Sequence, residues 1–512
     1  MSFVSIKFIG FVLISLFLYY IMPMKKRWIS LLLMSTVFYL IGGGKTIIYL
    51  IFTTISTYFA GILLGKYNCC EKSNEAMIKK KKKIVVAITL IANFGILFLF
   101  KYLSPVMGIF NSIFNVDEPA TLNLILPLGI SFYMFQSIGY VIDVYRNKYK
   151  PERNIFKFAL FTSFFPQVVQ GPISRFDSLS KELFEPHHFS YDNIKDGIIL
   201  MMWGYFKKLI IADRAAVVVN AVLGDYTNQS GTIILIAMIL YCIQLYTDFS
   251  GGIDITRGVS KLFGINLIDN FERPIFSTSL TSFWRRWHIS LGAWMKDYLF
   301  YPLSLSKTFV KFGKFVRKHI KGKVGKILPI SLVTFIVYFT IGIWHGGSIK
   351  YIVFGIWNGV LITVSLLLEP WFIKIKQKMK IADSNKAFYI FQLIRTSIIV
   401  LIGRYITRAP RFLASLCMLK KTFTDVKIAE IFDGTLLNFG ISGFDYLVIA
   451  VATIILLVVE GIDEYGIGTK KLIEKQKPVV QWLILMLSLF SLLIFGIFRG
   501  NYISSEFIYK QF

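Results

Sequence analysis

Apolar blocks of membrane-spanning length recur along nearly the whole of this 512-residue chain. Phe3–Met22, Ile47–Leu64, Ile84–Phe100, Ile233–Leu245, Ile327–Ile343, Tyr351–Leu368, Ala387–Ile402, Tyr446–Val459 and Val480–Phe498 are the clearest. A helix needs about 20 residues to cross a hydrocarbon core. Inside that core every backbone N–H and C=O must be satisfied by the protein itself, so only helices and closed barrels can span it. The blocks lack the alternation of barrel strands. They predict an all-α, polytopic integral membrane protein, organised as one membrane domain over residues 1–512. The charge content agrees, at 17% where a soluble domain carries nearer ~25%.

In a soluble protein a net charge of +28 would point to nucleic acid. Here the cations cluster in short segments between apolar blocks: Lys25–Arg27, Lys79–Lys83, Arg146–Lys157, Lys307–Lys326, Lys374–Lys380 and Lys470–Lys477. That is the positive-inside pattern, and it predicts a cytoplasmic side for all of them. Asp117–Glu118 and Asp225 then fall outside, as do both termini. No nucleic-acid partner is expected, because the basic segments lack the interleaved aromatics of a strand-binding groove. The four cysteines form no CxxC pair and suggest neither a disulfide framework nor a zinc site. The first apolar run is longer than a signal-peptide core and reads as an uncleaved span.

Polar, motif-like residues concentrate between Leu126 and Asn358. Leu126–Arg146 is apolar but carries Gly129, Ser131, Gln136, Ser137 and Gly139, residue types that let membrane helices approach and bond to one another. Phe164–Phe176, FFPQVVQGPISRF, sets two prolines and a glycine in an apolar run. Broken backbone at membrane depth must be buried or line a cavity, so a re-entrant segment is expected there. After a span ending near Tyr246, the residues Asp248, Ser250 and Asp254 flank Gly251–Gly252 and read as a capped turn at a membrane face, or as ligand-binding groups.

Phe283–Leu303, FWRRWHISLGAWMKDYLFYPL, is the densest stretch. At 100° per residue Trp284, Trp287, His288, Leu291, Trp294, Met295 and Tyr298 share one face of a predicted amphipathic helix, suited to the membrane interface. His288 within that face needs a partner; it is either a structural hydrogen-bonder or part of a reacting site. Ile341–Ser348, IGIWHGGS, places His345 at the end of a span, where an ionisable group is a functional candidate. His187, His188 and His319 lie in polar or basic segments and read as solvated. No Walker A, dinucleotide glycine signature, HExxH or GxSxG motif is present.

Five segments, LPLGISFYMFQSIGYVIDVYR, FFPQVVQGPISRF, LYTDFSGGIDITRG, FWRRWHISLGAWMKDYLFYPL and IGIWHGG with FGIWNG, together resemble the membrane-bound O-acyltransferase family. The likeness is to its bacterial alginate O-acetylation branch, in the family's order over roughly residues 126–359, and the terminal Phe507–Phe512 resembles that branch's aromatic tail. The resemblance implies a ring of tilted helices around a thinned core. Residues 126–359 would be the catalytic part, with 1–125 and 360–512 as peripheral helices. It puts His345 in the catalytic position and His288 in the second histidine position, and transfers nothing to Ile402–Pro410, where this chain departs from its relatives.

The activity implied by the resemblance is that of an O-acyltransferase of the bacterial cytoplasmic membrane. Such an enzyme passes an acyl group, usually acetyl, towards an extracytoplasmic polysaccharide, directly or through an SGNH-type partner. No bound cofactor or metal is implied. Acetyl-CoA or another acyl thioester serves as donor substrate. An imidazole with an ordinary pKa of about 6.5 can take the acceptor hydroxyl's proton near neutrality. Two other readings stay open: D-alanyl transfer to teichoic acid from a carrier-protein thioester, and a non-enzymatic transporter or flippase of a lipid-linked sugar.

Overall fold

The computed structural model describes residues 2–69, 75–114, 126–382, 384–497 and Phe507. The acidic pair Asp117–Glu118, Cys70 and the tail after Phe507 lie outside the described residues. Among those described, regular structure is helical apart from one isolated antiparallel bridge between Phe271 and Trp287. Among the described residues eight helical stretches are long and apolar enough to cross a membrane. The first apolar block forms the shorter helix Ile6–Ile21, opened by the Ser5 side chain accepting from Phe8 N. A span absent from the clearest sequence blocks appears as Arg27–Gly43, joined through a short turn to Ile47–Asn68. Exposure sorts the helices by surroundings. In Pro478–Phe495 only 6% of the apolar window is buried by protein, against 67% in Gly231–Leu262.

The chain divides into two compact units. The first comprises Met1–Tyr205 and Gly251–Asp269, together with Phe507 of the tail. Its helix Tyr191–Tyr205 meets residues 251–262 glycine to glycine. A Cβ on Gly197 would stand 2.8 Å from the Gly258 carbonyl oxygen, and one on Gly204 2.6 Å from that of Gly251. The sequence TDFSGG therefore makes no capped turn. Asp248, Ser250 and Asp254 lie inside one continuous helix, Gly231–Leu262, and its glycines serve close helix contact.

The expected break in Phe164–Phe176 is present, as a four-residue helix Phe165–Val168 followed by non-helical residues up to the helix Phe176–Phe184. It is buried in protein, as backbone freed at membrane depth requires. Gln136 Nε2 donates to Phe161 O at 2.6 Å, Gln167 Nε2 to Gln136 Oε1 at 2.8 Å and Ser174 Oγ to Gln167 Oε1 at 3.2 Å. Gly129, at φ +68°, lets the preceding chain close onto this segment; a Cβ there would lie 1.9 Å from Val168 O.

The second unit comprises Phe206–Ser250 and Asn270–Ser505, and it contains both candidate histidines. Its central pair is the helix Lys323–His345 against Ile349–Lys378. They close on one another through Gly342 and Gly355, where a Cβ on either would come within 3.0 Å of the other's Cα. A buried ion triad anchors the π-helical turn Phe206–Ala212. Lys208, wholly buried, binds Asp213 at 2.8 Å and Asp248 at 2.6 Å. Removing one partner from such a buried group typically costs ~3–5 kcal/mol, so the triad ties this turn to the helix carrying Asp248.

Candidate active site

The FWRRWH segment departs from its predicted form. Instead of one amphipathic helix it makes two, Leu280–Arg286 and Ile289–Met295. Between them Trp287 is extended, and His288 takes the left-handed region at φ 50°, ψ 55°. Such a conformation costs a non-glycine residue about 1–3 kcal/mol and persists only where its surroundings enforce it. The enforcement comes from Asn270–Glu272. Ile289 N donates to Asn270 O at 3.0 Å and Glu272 N to Arg286 O at 2.9 Å, while Phe271 bridges to Trp287. The face named from sequence is nonetheless the inward one: Trp287, His288, Leu291, Trp294, Met295 and Tyr298 are buried and Trp284 is half-buried.

His288 is 2% exposed. Its Nδ1 lies 3.2 Å from Asn270 Oδ1, and the backbone N–H of Ser290 donates to that same oxygen at 2.9 Å. Because an N–H can only donate, the Ser290 contact fixes which way the Asn270 amide points. The oxygen can then only accept from His288, so Nδ1 carries the proton and Nε2 presents a lone pair. Burial holds the imidazole well below the ordinary histidine value, which keeps it neutral. The Phe249 ring stands edge-on to it with centroids 5.0 Å apart. A neutral imidazole of fixed tautomer can accept a proton or orient a hydroxyl.

His345 closes the helix Lys323–His345 and is half-buried. Gly346 comes next at φ 158° and breaks the chain before Ile349–Lys378 begins. The imidazole packs beside Trp344 at 4.8 Å, lies roughly parallel to Tyr351 at 6.1 Å and meets Phe354 edge-on at 6.2 Å. A series of contacts leads from one histidine to the other. Trp287, next to His288, carries the Arg404 guanidinium 4.9 Å over its ring. Arg404 lies 5.9 Å from the Phe354 ring, and Phe354 meets His345. Trp284 Nε1 donates to Asn358 Oδ1 at 3.1 Å, tying the first helix of the FWRRWH segment to FGIWNG. Glu464 receives both Arg273 and Arg286 at 2.8 Å and holds the same segment from another side.

The remaining histidines stand elsewhere. His188 and His319 are exposed, the latter bonded to Phe315 O at 2.9 Å; His187 is half-buried with Nε2 on Glu182 O. Among the described residues no three His, Cys, Asp or Glu side chains are grouped as a metal site. Sequence reasoning passed over Asn270, Asn358, Glu464 and Arg404. Of these only Arg404 carries a signal of its own, a cation inside an apolar span. It sits in the Ile402–Pro410 segment to which no role was assigned.

A buried histidine and a half-buried one, connected through Trp287, Arg404 and Phe354, are the candidate proton-accepting groups of this polytopic helical protein. The chain belongs to the MBOAT, membrane-bound O-acyltransferase family, whose pattern it matches over residues 150–406, and it is an acyltransferase. It is 31% identical over 405 residues to the probable alginate O-acetylase of Pseudomonas syringae pv. tomato, covering 78% of this chain and 70% of that protein. It is also 29% identical to the peptidoglycan O-acetyltransferase of Helicobacter pylori, over 66% of this chain and 64% of that one. To the teichoic acid D-alanyltransferase of Bacillus subtilis it is 28% identical, over 57% and 70%. Membership of this acyltransferase family sets aside the transporter reading.

Proposed function

We propose that this enzyme transfers an acetyl group from acetyl-CoA on the cytoplasmic side towards a polysaccharide outside the membrane, directly or through an SGNH-type partner. His345 is its general base. The observation that carries this reading is the placing of His345: at the end of a span, half-buried among the rings of Trp344, Tyr351 and Phe354, and followed by two glycines, Gly346 and Gly347. As an acceptor hydroxyl attacks the thioester carbonyl, the imidazole takes its proton; the C–S bond then breaks and the imidazolium returns that proton to the departing sulfur, which leaves as the thiol. His288, neutral and with Nε2 as an acceptor, orients the attacking hydroxyl by accepting its hydrogen bond. Relatives named for O-acetylation of alginate and of peptidoglycan support acetyl as the group and a cell-surface or secreted polysaccharide as the acceptor. The likeness to teichoic acid D-alanyltransferases favours a second reading, D-alanyl transfer from a carrier-protein thioester.

His345→Ala tests the proposal. General-base catalysis contributes about 10²–10⁴-fold, so the variant is expected to reach normal abundance in the membrane while the polysaccharide loses nearly all of its base-labile acyl groups. Release of acetate rather than D-alanine from the wild-type product decides between the two readings. A well-expressed variant with undiminished acylation would remove His345 from the role of base.

A further inference from the structure

Lys307–Lys326, expected as a basic loop, contains a helix, Lys307–His319, opened by Ser306 Oγ accepting from Phe309 N at 3.3 Å. One side of it is buried, through Gly313 and Val316. A Cβ on Gly313 would lie 3.7 Å from Pro329 in the first turns of the spanning helix Lys323–His345. On the opposite side Lys307, Lys311, Lys314 and Lys318 fall within about 60° of arc at 100° per residue, and all four are exposed. None forms an ion pair among the described residues, and the chain has no acidic residue between Asp297 and Glu369. Exposed apolar side chains border the lysine stripe: Val310 and Phe315 on its flanks, Leu305 and Ile320 at its ends, with Leu305 75% and Phe315 61% exposed.

We propose that this helix is a docking surface for the headgroups of anionic phospholipids, at the membrane face where the His345-bearing helix enters. Charge complementarity selects the headgroup. Four unbalanced ammonium groups on one stripe attract an anionic surface, and their aliphatic stems reach past apolar surface to do so. The apolar borders select a lipid over a soluble polyanion, because Leu305, Val310 and Phe315 have acyl chains to enter beneath the headgroups. A soluble acidic protein or the phosphates of a donor would leave those side chains in water. Through the contact at Pro329, lipid bound here steadies the entry of the helix that ends in His345.

The full-length protein, with its native cysteines replaced by serine and Thr308→Cys carrying a fluorophore beside Phe315, reports on this surface. It is reconstituted into vesicles of mixed phosphatidylcholine and phosphatidylglycerol, with bromine on the acyl chains of one lipid or the other. Brominated phosphatidylglycerol is expected to quench at least about twofold more strongly at equal content. That preference should vanish with Lys307→Gln, Lys311→Gln, Lys314→Gln and Lys318→Gln together. Equal quenching by both lipids overturns the proposal. Quenching by neither also overturns it and leaves a soluble acidic partner as the occupant. Phospholipid retained by the unsubstituted protein on purification gives a second reading that needs no label. Enrichment of phosphatidylglycerol that is lost in the four-glutamine variant supports the proposal; identical retention by both proteins overturns it.

Discussion

Asn270 Oδ1 receives two donors, the backbone N–H of Ser290 and the Nδ1–H of His288. The first sets the backbone that puts His288 in the left-handed region, and the second sets its tautomer, so one oxygen controls both where the imidazole points and which nitrogen can accept. Asn270→Leu removes that oxygen and leaves two buried donors to find others, at roughly 1–3 kcal/mol. Felt in the transition state, a loss of that size lowers kcat by ~5–150-fold, with KM for the donor little changed. Asn270→Asp keeps an acceptor in place and should recover most of the rate. Full activity in the leucine variant would show that Asn270 does not position His288. Equal losses in both variants, accompanied by low abundance, would show that it matters only to folding.

Among the elements, the glycine contact between Lys323–His345 and Ile349–Lys378 decides how His345 is presented. A Cβ on Gly355 would come 2.7 Å from Tyr338 O and 3.0 Å from Gly342 Cα, both of them backbone atoms that cannot swing aside. Gly355→Ala is therefore expected to destabilise the protein by about 1–3 kcal/mol and to lower activity, as thermal unfolding in detergent and acyl transfer would record. Gly95, inside the helix Glu75–Phe114, would meet nothing within 4 Å. There Gly→Ala should be neutral or stabilising by up to ~1 kcal/mol, and equal destabilisation at both sites would refute a role for close contact at Gly355. The same contrast explains what was legible in the sequence. Hydropathy marks which helices are apolar, but it cannot tell a glycine that turns the chain from one that admits a neighbour. Gly251 and Gly252 looked like a turn because the residues they accommodate lie in other segments, Gly204 and Gln170 among them. The periodicity of FWRRWHISLGAW runs unbroken through His288, since the face it predicts survives the kink; nothing local announces that Asn270 will bend it. Arg404 stands out in the sequence as a cation inside an apolar span, but its partners, Trp287 and Phe354, are set by folding and not by spacing.

At the scale of the whole molecule, the proposed transfer across the membrane requires that the ends of the His345-bearing helix face opposite sides. Lys323–His345 has 23 residues, which at 1.5 Å per residue make about 34 Å, enough for a hydrocarbon core of about 30 Å. Its start adjoins the lysine-rich helix, and its end is His345 with Gly346, Gly347 and Ser348. The positive-inside rule places the lysines in the cytoplasm, so His345 belongs to the far part of the crossing. In the proposed reaction a cytoplasmic thioester would then deliver its acyl group along the protein, and the acceptor would arrive from outside. Single cysteines at Lys321 and Ser348, both exposed, test this arrangement in a background otherwise free of cysteine. With an impermeant thiol reagent on intact cells, Ser348→Cys should be labelled and Lys321→Cys should be labelled only after the membrane is opened. Labelling of Lys321→Cys in intact cells would reverse the orientation and put the histidine end on the donor's side. Labelling of both from one side would mean that this helix does not cross. An acceptor outside the membrane would then be out of reach of His345, and the enzyme would have to act on a substrate that shares the donor's compartment.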